Sequence, residues 1–259
     1  MVPLYARALE NRKKRPILED PAATRIVDSI DWDFRRFGQR WRVEGCVLRS
    51  AMFDFLVRNF LERHPDGTVV EIGSGLNTRF ERLDNGKVHW FDLDLPDIVE
   101  LRRKFFSDSE RRTTLAASVL DCDWIAAVRR SPGPYFFLAE TVLVYLEDAQ
   151  VKTALRQIAT YFPKATIALD NVAPRGLDRG NKDFVRRKMD ARFVWSCADP
   201  IVIEHWNIGL RLVESRTVAD VPDCLWPRLP LPLRAQLRFF RKFFPRLMKF
   251  YQISVFAAQ

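Results

Sequence analysis

The stretch "TVVEIGSGLNTRFERLDNGKVHWFDLDLP", Thr68 to Pro96, decides the fold of this chain. A β-branched run ends at Glu71, and a G-S-G loop follows it. A helical stretch then leads to a second apolar run that ends in acidic residues. This order predicts a strand, a glycine loop, a helix and a second strand, which together begin an α/β unit of the nucleotide-binding kind. Glycine lets the backbone of such a loop approach a ligand without a clash from Cβ.

Patterns of helical and strand period alternate along the rest of the chain. The predicted helices cover 17–30, 45–64, 78–83, 96–106, 124–130, 148–162 and 181–189. The predicted strands cover 68–72, 88–94, 113–118, 134–140, 165–170, 210–218 and 249–258. The alternation predicts an α/β fold with a seven-stranded doubly wound sheet, and the terminal strand is expected to run antiparallel to the others.

Length and composition predict a single domain over 1–259, with a helical cap at 1–64 and a sheet core at 65–259. The hydrophobic fraction of 47% and the charged fraction of 29% are ordinary for a globular protein. No apolar stretch is long enough to cross a bilayer, and the N-terminus does not resemble a signal peptide, so a cytoplasmic protein without membrane insertion is expected. The four cysteines and three histidines are too scattered to predict a metal site.

The end of the chain is strongly basic. After Asp223 there are seven Arg and Lys residues and no acidic residue, interleaved with Phe and Leu in "RLPLPLRAQLRFFRKFFPRLMKFY". Such a segment could lie on an anionic membrane surface, touch nucleic acid, or cover a substrate and attract its carboxylate. We favour a helix whose Phe/Leu face packs on the sheet and whose basic face is solvated, so no nucleic-acid partner is expected.

The glycine loop departs from the dinucleotide fingerprint. In nicotinamide and flavin sites the loop reads G-x-G-x-x-G, and the pyrophosphate lies on the helix N-terminus. Thr78 stands at the position of the third glycine. A ligand without a pyrophosphate, such as S-adenosylmethionine, suits this loop better, and a nicotinamide-dependent oxidoreductase is the less favoured alternative.

Acidic residues follow three successive predicted strands. Asp94 lies 19 residues after Gly75, where a carboxylate can accept both ribose hydroxyls, and Asp92 is a weaker second candidate. Asp121 follows the third strand, where an adenine amino group would lie, and Glu140 ends the fourth strand. Because parallel strands present their carboxyl ends at one edge of a sheet, these residues predict an adenosine-cofactor site there.

Four segments carry a resemblance to a known family: "VVEIGSGLNTRFERL", "WFDLDLPDIVELRRKFF", "SVLDCDW" and "FFLAETVLVYLEDAQVKTALRQIATYFP". They resemble the leucine carboxyl methyltransferase-like family, in particular its polyketide-synthesis O-methyltransferase branch of the tetracenomycin type. The resemblance extends from "VPLYARALE" through "EHWNIGLRLVES", which is nearly the whole chain. It implies a class I methyltransferase of Rossmann-like fold that uses S-adenosylmethionine.

The resemblance also implies roles for individual residues. Arg49, in "VLRSAMFD", would grip the methionyl carboxylate, with Arg7 as a second cation over the cofactor. Glu140 would lie near the methionyl amino group. Two residues depart from the family pattern, which has Asp where this chain has Asn77 and Gly where it has Thr141. The full set of implied cofactor-binding residues is Arg7, Arg49, Gly73, Ser74, Gly75, Asp94, Leu95, Leu120, Asp121 and Glu140.

The methyl acceptor is expected to be a carboxylate of a polyketide or similar small molecule. A carboxylic acid with a pKa of roughly 4 is ionised at neutral pH, whereas a phenol with a pKa of about 10 usually needs a base. His205 is the one plausible base in the sequence, and no catalytic residue is assigned. Methylation of a phenolic hydroxyl is the alternative. The candidate substrate-pocket residues are Tyr145, Trp195, His205 and Trp206, with ordinary core or surface positions as the competing interpretation.

Overall fold

The computed structural model describes residues 2–34, 40–186 and 190–259, and its centre is a seven-stranded sheet of order β3-β2-β1-β4-β5-β7-β6. The strands are β1 Thr68–Ile72, β2 His89–Asp94, β3 Arg112–Ala116, β4 Tyr135–Ala139, β5 Thr166–Val172, β6 Leu210–Thr217 and β7 Tyr251–Ala258. The pairs among β1 to β5 are parallel, and β7 pairs antiparallel with both β5 and β6. The predicted α/β class and the antiparallel terminal strand are therefore confirmed.

The helices are α1 Val2–Glu10, α2 Pro21–Ser29, α3 Arg40–Arg63, α4 Arg79–Leu83, α5 Pro96–Arg102, α6 Asp123–Val128, α7 Asp148–Tyr161, α8 Pro174–Arg186, α9 Ile201–Glu204, α10 Leu231–Phe243 and α11 Pro245–Met248. The predicted helix 17–30 is shorter than expected because Asp20 caps it, accepting a hydrogen bond from the Ala23 N–H at 3.0 Å. The helix predicted at 181–189 corresponds to α8, and its last three positions lie outside the described residues. None of the helices in the described ranges has both the length and the apolar character that a bilayer crossing requires.

The register of the central strands brings three strand ends to one edge. Ile72, the last residue of β1, lies opposite Leu93 of β2 and Ala139 of β4. The chain therefore leaves these neighbouring strands at the same level. The strand order reverses on the two sides of β1, which is the point where doubly wound sheets bind ligands.

The two faces of the sheet pack against different layers of helix. Alternate residues such as Val69 and Phe136 join an apolar cluster with α3 and the C-terminal helices. Val70 and Phe137 point to the opposite face and join a cluster with α6 and α7. Residues of α1 and α3 share the first cluster with the sheet. The single domain over 1–259 and its division into a cap at 1–64 and a core at 65–259 stay predictions.

Candidate functional site

The glycine loop after β1 has a backbone that only glycine adopts readily. Gly73 and Gly75 have φ values of +65° and +49°. A Cβ on Gly73 would lie 2.3 Å from Val142 Cγ2, whereas a Cβ on Gly75 would meet nothing within 4 Å. The buried hydroxyl of Ser74 has no hydrogen-bond partner among the described residues. The open space beside Gly75 would let a ligand approach the backbone closely, and the unpaired buried hydroxyl of Ser74 also fits a ligand at this loop.

Asp94 lies directly beside the loop, at the end of β2. Its Oδ2 accepts the Gly75 N–H at 2.6 Å, and its Oδ1 accepts the Leu95 N–H at 2.8 Å. Burial raises the pKa of Asp94 above its ordinary value, while these two hydrogen bonds act in the opposite direction. Leu95 itself is 49% exposed. The carboxylate is thus half-buried at the loop, where a ligand hydroxyl could reach it.

Asp92, the second candidate for the ribose contact, is fully buried and engaged elsewhere. Its Oδ2 lies 2.8 Å from Arg102 Nη2 and 2.7 Å from Arg112 Nε. Arg102 also donates to the Gly75 carbonyl at 2.7 Å. Asp92 therefore supports the glycine loop indirectly through Arg102, and Asp94 is the carboxylate in direct contact with the loop.

The loop after β3 begins at the same edge. The Ala117 N–H donates to the Asp94 carbonyl at 2.9 Å. Farther along this loop, Asp121 is exposed, and its Oδ2 accepts the Ser118 N–H at 2.9 Å. The Leu120 carbonyl accepts a hydrogen bond from Gln157 of α7 at 3.1 Å. These contacts fix the shape of the loop next to the strand end that carries Asp94.

Glu140, at the end of β4, is held by two arginines. Its Oε1 accepts from Arg49 Nε at 2.7 Å and from the Ser50 hydroxyl at 2.9 Å, and its Oε2 lies 2.5 Å from Arg79 Nη2. Burial opposes ionisation of Glu140, but Arg49 and Arg79 outweigh burial and hold its pKa far below the ordinary value.

Among the described residues, the guanidinium of Arg49 has only part of its hydrogen-bonding capacity satisfied. Its Nε binds Glu140, while its two terminal nitrogens donate to no acceptor within the described part of the chain. Its side chain is 13% exposed. Two parallel N–H donors of this kind match a carboxylate, so Arg49 fits the predicted contact with a methionyl carboxylate.

Arg7 lies above the same loop but is already neutralised. Its Nε lies 2.7 Å from Asp20 Oδ2, and its Nη2 donates to the Leu76 carbonyl at 3.3 Å. The side chain is 2% exposed. The structure therefore places Arg7 beside the glycine loop as a link between α1 and the loop, with its charge balanced by Asp20.

A set of charged side chains joins the N-terminal helices to the strand ends, and the sequence carries little signal for it. We call it the buried ion-pair network, and it consists of Arg7, Asp20, Arg49, Asp54, Glu71, Arg79, Arg82 and Glu140. Arg79 is its centre, since its guanidinium contacts Asp54 at 2.7 Å, Glu140 at 2.5 Å, and Glu71. Asp54 and Glu140 are 25 and 61 residues from Arg79, so no local motif connects them.

Glu71 is the member of this network that should titrate near neutral pH. Burial raises its pKa to about 7 despite the attraction of Arg79, and its Oε2 has no partner among the described residues. The unfolded chain loses this proton near pH 4.5, so folding stability should fall as pH rises from about 4.5 to 8, by up to about 3 kcal/mol. Urea unfolding across this range should show the fall in the wild type and a flatter profile in Glu71→Gln.

The difference in pH-dependent stability between the wild type and Glu71→Gln reports the titration of Glu71 and not that of other groups. Asp54 and Glu140 have lowered pKa values, so their ionisation is complete below this pH range. All other titratable groups are common to both proteins. Parallel stability profiles for wild type and Glu71→Gln would contradict the assignment.

A second polar cluster lies next to Glu140 and was not predicted. Thr141 has a φ of +59°, which is uncommon for a β-branched residue. Its N–H and hydroxyl donate to Asp170 at 2.8 and 3.0 Å, and the Tyr251 hydroxyl donates to Asp170 Oδ2 at 2.5 Å. Burial raises the pKa of Asp170 and of Tyr251. Two signals were available in the sequence: the departure from glycine at Thr141 and an acid at the end of the fifth strand.

The predicted substrate residues separate into different regions. Tyr145 follows β4 at the loop edge and is 43% exposed, with its ring 5.2 Å from that of Phe193. Trp195 is 3% exposed in the apolar cluster on the α7 face and donates to Asp148 at 3.3 Å. The structure therefore leaves Tyr145 accessible at the site and gives Trp195 a core position.

His205 and Trp206 lie at the other edge of the sheet. They follow α9 and precede β6, whose first residue, Leu210, pairs with Ala258 at the end of the antiparallel β7. That end of β7 lies beside the start of β5, so these residues are at the amino edge of the parallel strands. The structure does not bring them to the glycine loop, and His205 is not placed to act as a base there.

Comparisons with known proteins agree with this geometry. The family model described as leucine carboxyl methyltransferase matches residues 1–159. The chain is 33% identical over 221 residues to the tetracenomycin polyketide synthesis O-methyltransferase TcmP of Streptomyces glaucescens, covering 85% of this chain and 82% of that protein. It is 25% identical over 242 residues to an S-adenosyl-L-methionine-dependent methyltransferase of Gibberella zeae, covering 84% and 80% of the two chains.

Solved structures show the same fold at low identity. A DUF574 family protein from Streptomyces avermitilis has a TM-score of 0.59 at 14% identity, with 98% of this chain and 97% of that chain covered. Magnesium protoporphyrin IX methyltransferase from Synechocystis, solved with bound SAH, has a TM-score of 0.51 at 11% identity, with 87% and 91% covered. These likenesses concern the fold alone.

Proposed function

Because the chain belongs to the leucine carboxyl methyltransferase family and is an S-adenosylmethionine-dependent methyltransferase, we propose that it methylates a carboxylate of a small molecule to a methyl ester. The observation that supports the cofactor part of this proposal is the meeting of the glycine loop, Asp94 and the Arg49–Glu140 pair at the ends of β1, β2 and β4. The cofactor supplies an activated methyl group, so the protein mainly has to position the two reactants.

The residues at this edge suit the parts of the cofactor. Asp94 would accept the ribose hydroxyls, and the loop with Leu120 and Asp121 would flank the adenine. Arg49 would bind the methionyl carboxylate through its terminal nitrogens, and Glu140 would accept from the methionyl amino group. These assignments are supported by the half-buried Asp94 carboxylate and by the terminal donors of Arg49 that no described residue accepts.

A carboxylate acceptor is the simplest substrate for such a site. It is ionised at neutral pH without a base, and the one base candidate from the sequence, His205, lies at the other edge. The name of the Streptomyces glaucescens relative suggests a polyketide as the substrate class. Tyr145, exposed at the site, could stack on an aromatic ring of such a substrate.

A hydroxyl acceptor is the second candidate, and the Asp170–Tyr251 pair favours it. Asp170 is a buried carboxylate near Arg49 and Glu140, and its pKa is raised by burial. A carboxylate beside the acceptor repels an anionic substrate and can accept the proton of a hydroxyl. A hydroxyl acceptor would therefore need Asp170 as its base, whereas a carboxylate acceptor would not need Asp170.

The chemical stability of the product separates the candidates. The protein is incubated with methyl-labelled S-adenosylmethionine and pairs of aromatic acids and phenols, and the product is treated with mild base. A methyl ester releases the label as methanol, whereas a methyl ether retains it. We expect release from the acid products, with activity largely kept in Asp170→Asn. A base-stable product whose formation falls at least about 100-fold in Asp170→Asn would instead establish hydroxyl methylation.

A further inference from the structure

The long connection between β6 and β7 exposes a surface that the fold does not need. It begins after Thr217 and ends before Tyr251, and both strand ends lie at the carboxyl edge of the sheet. It contains α10 and α11. We define the basic-aromatic patch by its exposed residues, which are Phe239, Arg241, Lys242, Phe243, Phe244, Arg246, Leu247 and Lys249.

The aromatic residues of this patch contact one another but stay largely exposed. The helix α10 contacts the core through Leu233, Leu237 and Phe240. On its other side Phe239 is 51% exposed and Phe243 is 58% exposed. Leu247 of α11 is 53% exposed. The apolar face was expected to pack on the sheet, with only the basic face in solvent. Leu233, Leu237 and Phe240 fit this expectation, whereas Phe239, Phe243 and Leu247 form a second, exposed apolar surface.

The charges of the patch are of one sign. No acidic residue follows Asp223 in the sequence. Within the described part of the chain, no ion pair involves Arg241, Arg246 or Lys249. A second copy of this chain would place like charges against each other, which disfavours self-association through this surface.

We propose that the basic-aromatic patch binds the surface of an anionic phospholipid bilayer. Exposed Phe and Leu side chains flanked by Arg and Lys are the composition of helices that lie in a lipid interface, with the apolar groups among the acyl chains and the cations at the head groups. Charge alone would suit nucleic acid equally, but the apolar half of the patch, which includes Leu247, favours an apolar medium. The protein lies on the bilayer and does not span it.

Binding of the patch to a bilayer would also affect the surroundings of the candidate site. The connection that carries the patch starts and ends at the carboxyl edge of the sheet, where the candidate site also lies. Binding would bring this edge near the bilayer, where lipophilic carboxylic acids accumulate. The lipid-binding proposal itself does not depend on the identity of the methyl acceptor, so each can fail without the other.

Sedimentation with vesicles tests the proposal on the full chain. We expect binding to vesicles that contain phosphatidylglycerol, weak binding to pure phosphatidylcholine, and loss of binding at high salt. The triple variant R241Q/R246Q/K249Q should bind about 100-fold more weakly, since each surface cation contributes a roughly fivefold gain in affinity. The variant F239S/F243S/L247S should bind at least about tenfold more weakly, because apolar area no longer enters the interface.

Matched controls change the same chemistry elsewhere. K87Q/R129Q/R130Q removes three exposed cations, and V202S/V213S removes exposed apolar groups, so both should bind like the wild type. Circular dichroism melts of all variants establish that they are folded. Equal binding to neutral and anionic vesicles, or an aromatic variant that binds as well as the wild type, would overturn the proposal. The latter result would indicate a surface that recognises charge alone.

Discussion

The Arg79→Met variant is expected to unfold with a free energy about 3–5 kcal/mol lower than the wild type, the largest stability change we predict. Arg79 is fully buried and contacts Asp54, Glu71 and Glu140 at the same time. Methionine keeps much of the volume but removes the positive charge. The carboxylates would then be buried without their shared partner, and the strand ends that carry the site would lose their link to α3 and α4.

Two comparisons test this explanation. Arg111→Met removes an arginine whose ion pair with Asp84 lies at the surface, and it should change stability little. The double variant Arg79→Met/Glu71→Gln should recover part of the loss at pH 8, since one uncompensated charge is removed. Chemical denaturation measures all of them. An Arg79→Met protein as stable as Arg111→Met would contradict the central position of Arg79 in the buried ion-pair network.

The Arg49→Met variant is expected to bind S-adenosylhomocysteine about 100-fold more weakly while binding 5′-methylthioadenosine as the wild type does. The first ligand has the amino-acid carboxylate that corresponds to the methionyl carboxylate, and the second lacks it. Arg49 offers its terminal nitrogens beside Glu140, and losing one partner of a desolvated charge pair typically costs 2–5 kcal/mol, which is about 30-fold or more. The ratio of the two affinities therefore reports the contact with the carboxylate and not a general loss of structure.

Arg58 supplies the matched control on the same helix. It is exposed on α3, two and a half turns after Arg49, so Arg58→Met should leave both affinities unchanged. Glu140 retains Arg79 and Ser50 in Arg49→Met, which keeps the strand end intact. An equal loss for both ligands would mean that Arg49 shapes the site without contacting the methionyl carboxylate.

The parts of the site that could be predicted from the sequence are local. Gly73 and Gly75 lie in the loop after β1, Asp94 is the last residue of β2, and neighbouring parallel strands end at one edge. The order of elements therefore determines where these residues lie, even though the helix and strand boundaries move by a few residues. The same reasoning yields the seven-stranded sheet with its antiparallel last strand.

The other parts depend on distant contacts. The charges around Arg79 come from α3, β1 and β4, and no sequence period connects them. His205 and Trp206 were expected in the pocket. However, β6 is parallel to β5 and starts at the amino edge of the sheet, so the segment that precedes β6 lies at that edge. The apolar residues of α10 exceed what one helix face can bury, and sequence spacing alone does not say which of them remain exposed.

The glycine loop and Asp94 are expected to hold S-adenosylmethionine, and titration calorimetry with S-adenosylhomocysteine tests this assignment. Asp97→Asn is the matched control, because Asp97 is an exposed carboxylate in the first turn of α5, close to Asp94 in sequence. We predict micromolar binding, on the order of −8 kcal/mol, to wild type and Asp97→Asn, a loss of at least about 30-fold in Asp94→Asn, and no binding of NAD. Equal affinity in Asp94→Asn and Asp97→Asn would contradict the assignment of the cofactor to this edge through Asp94.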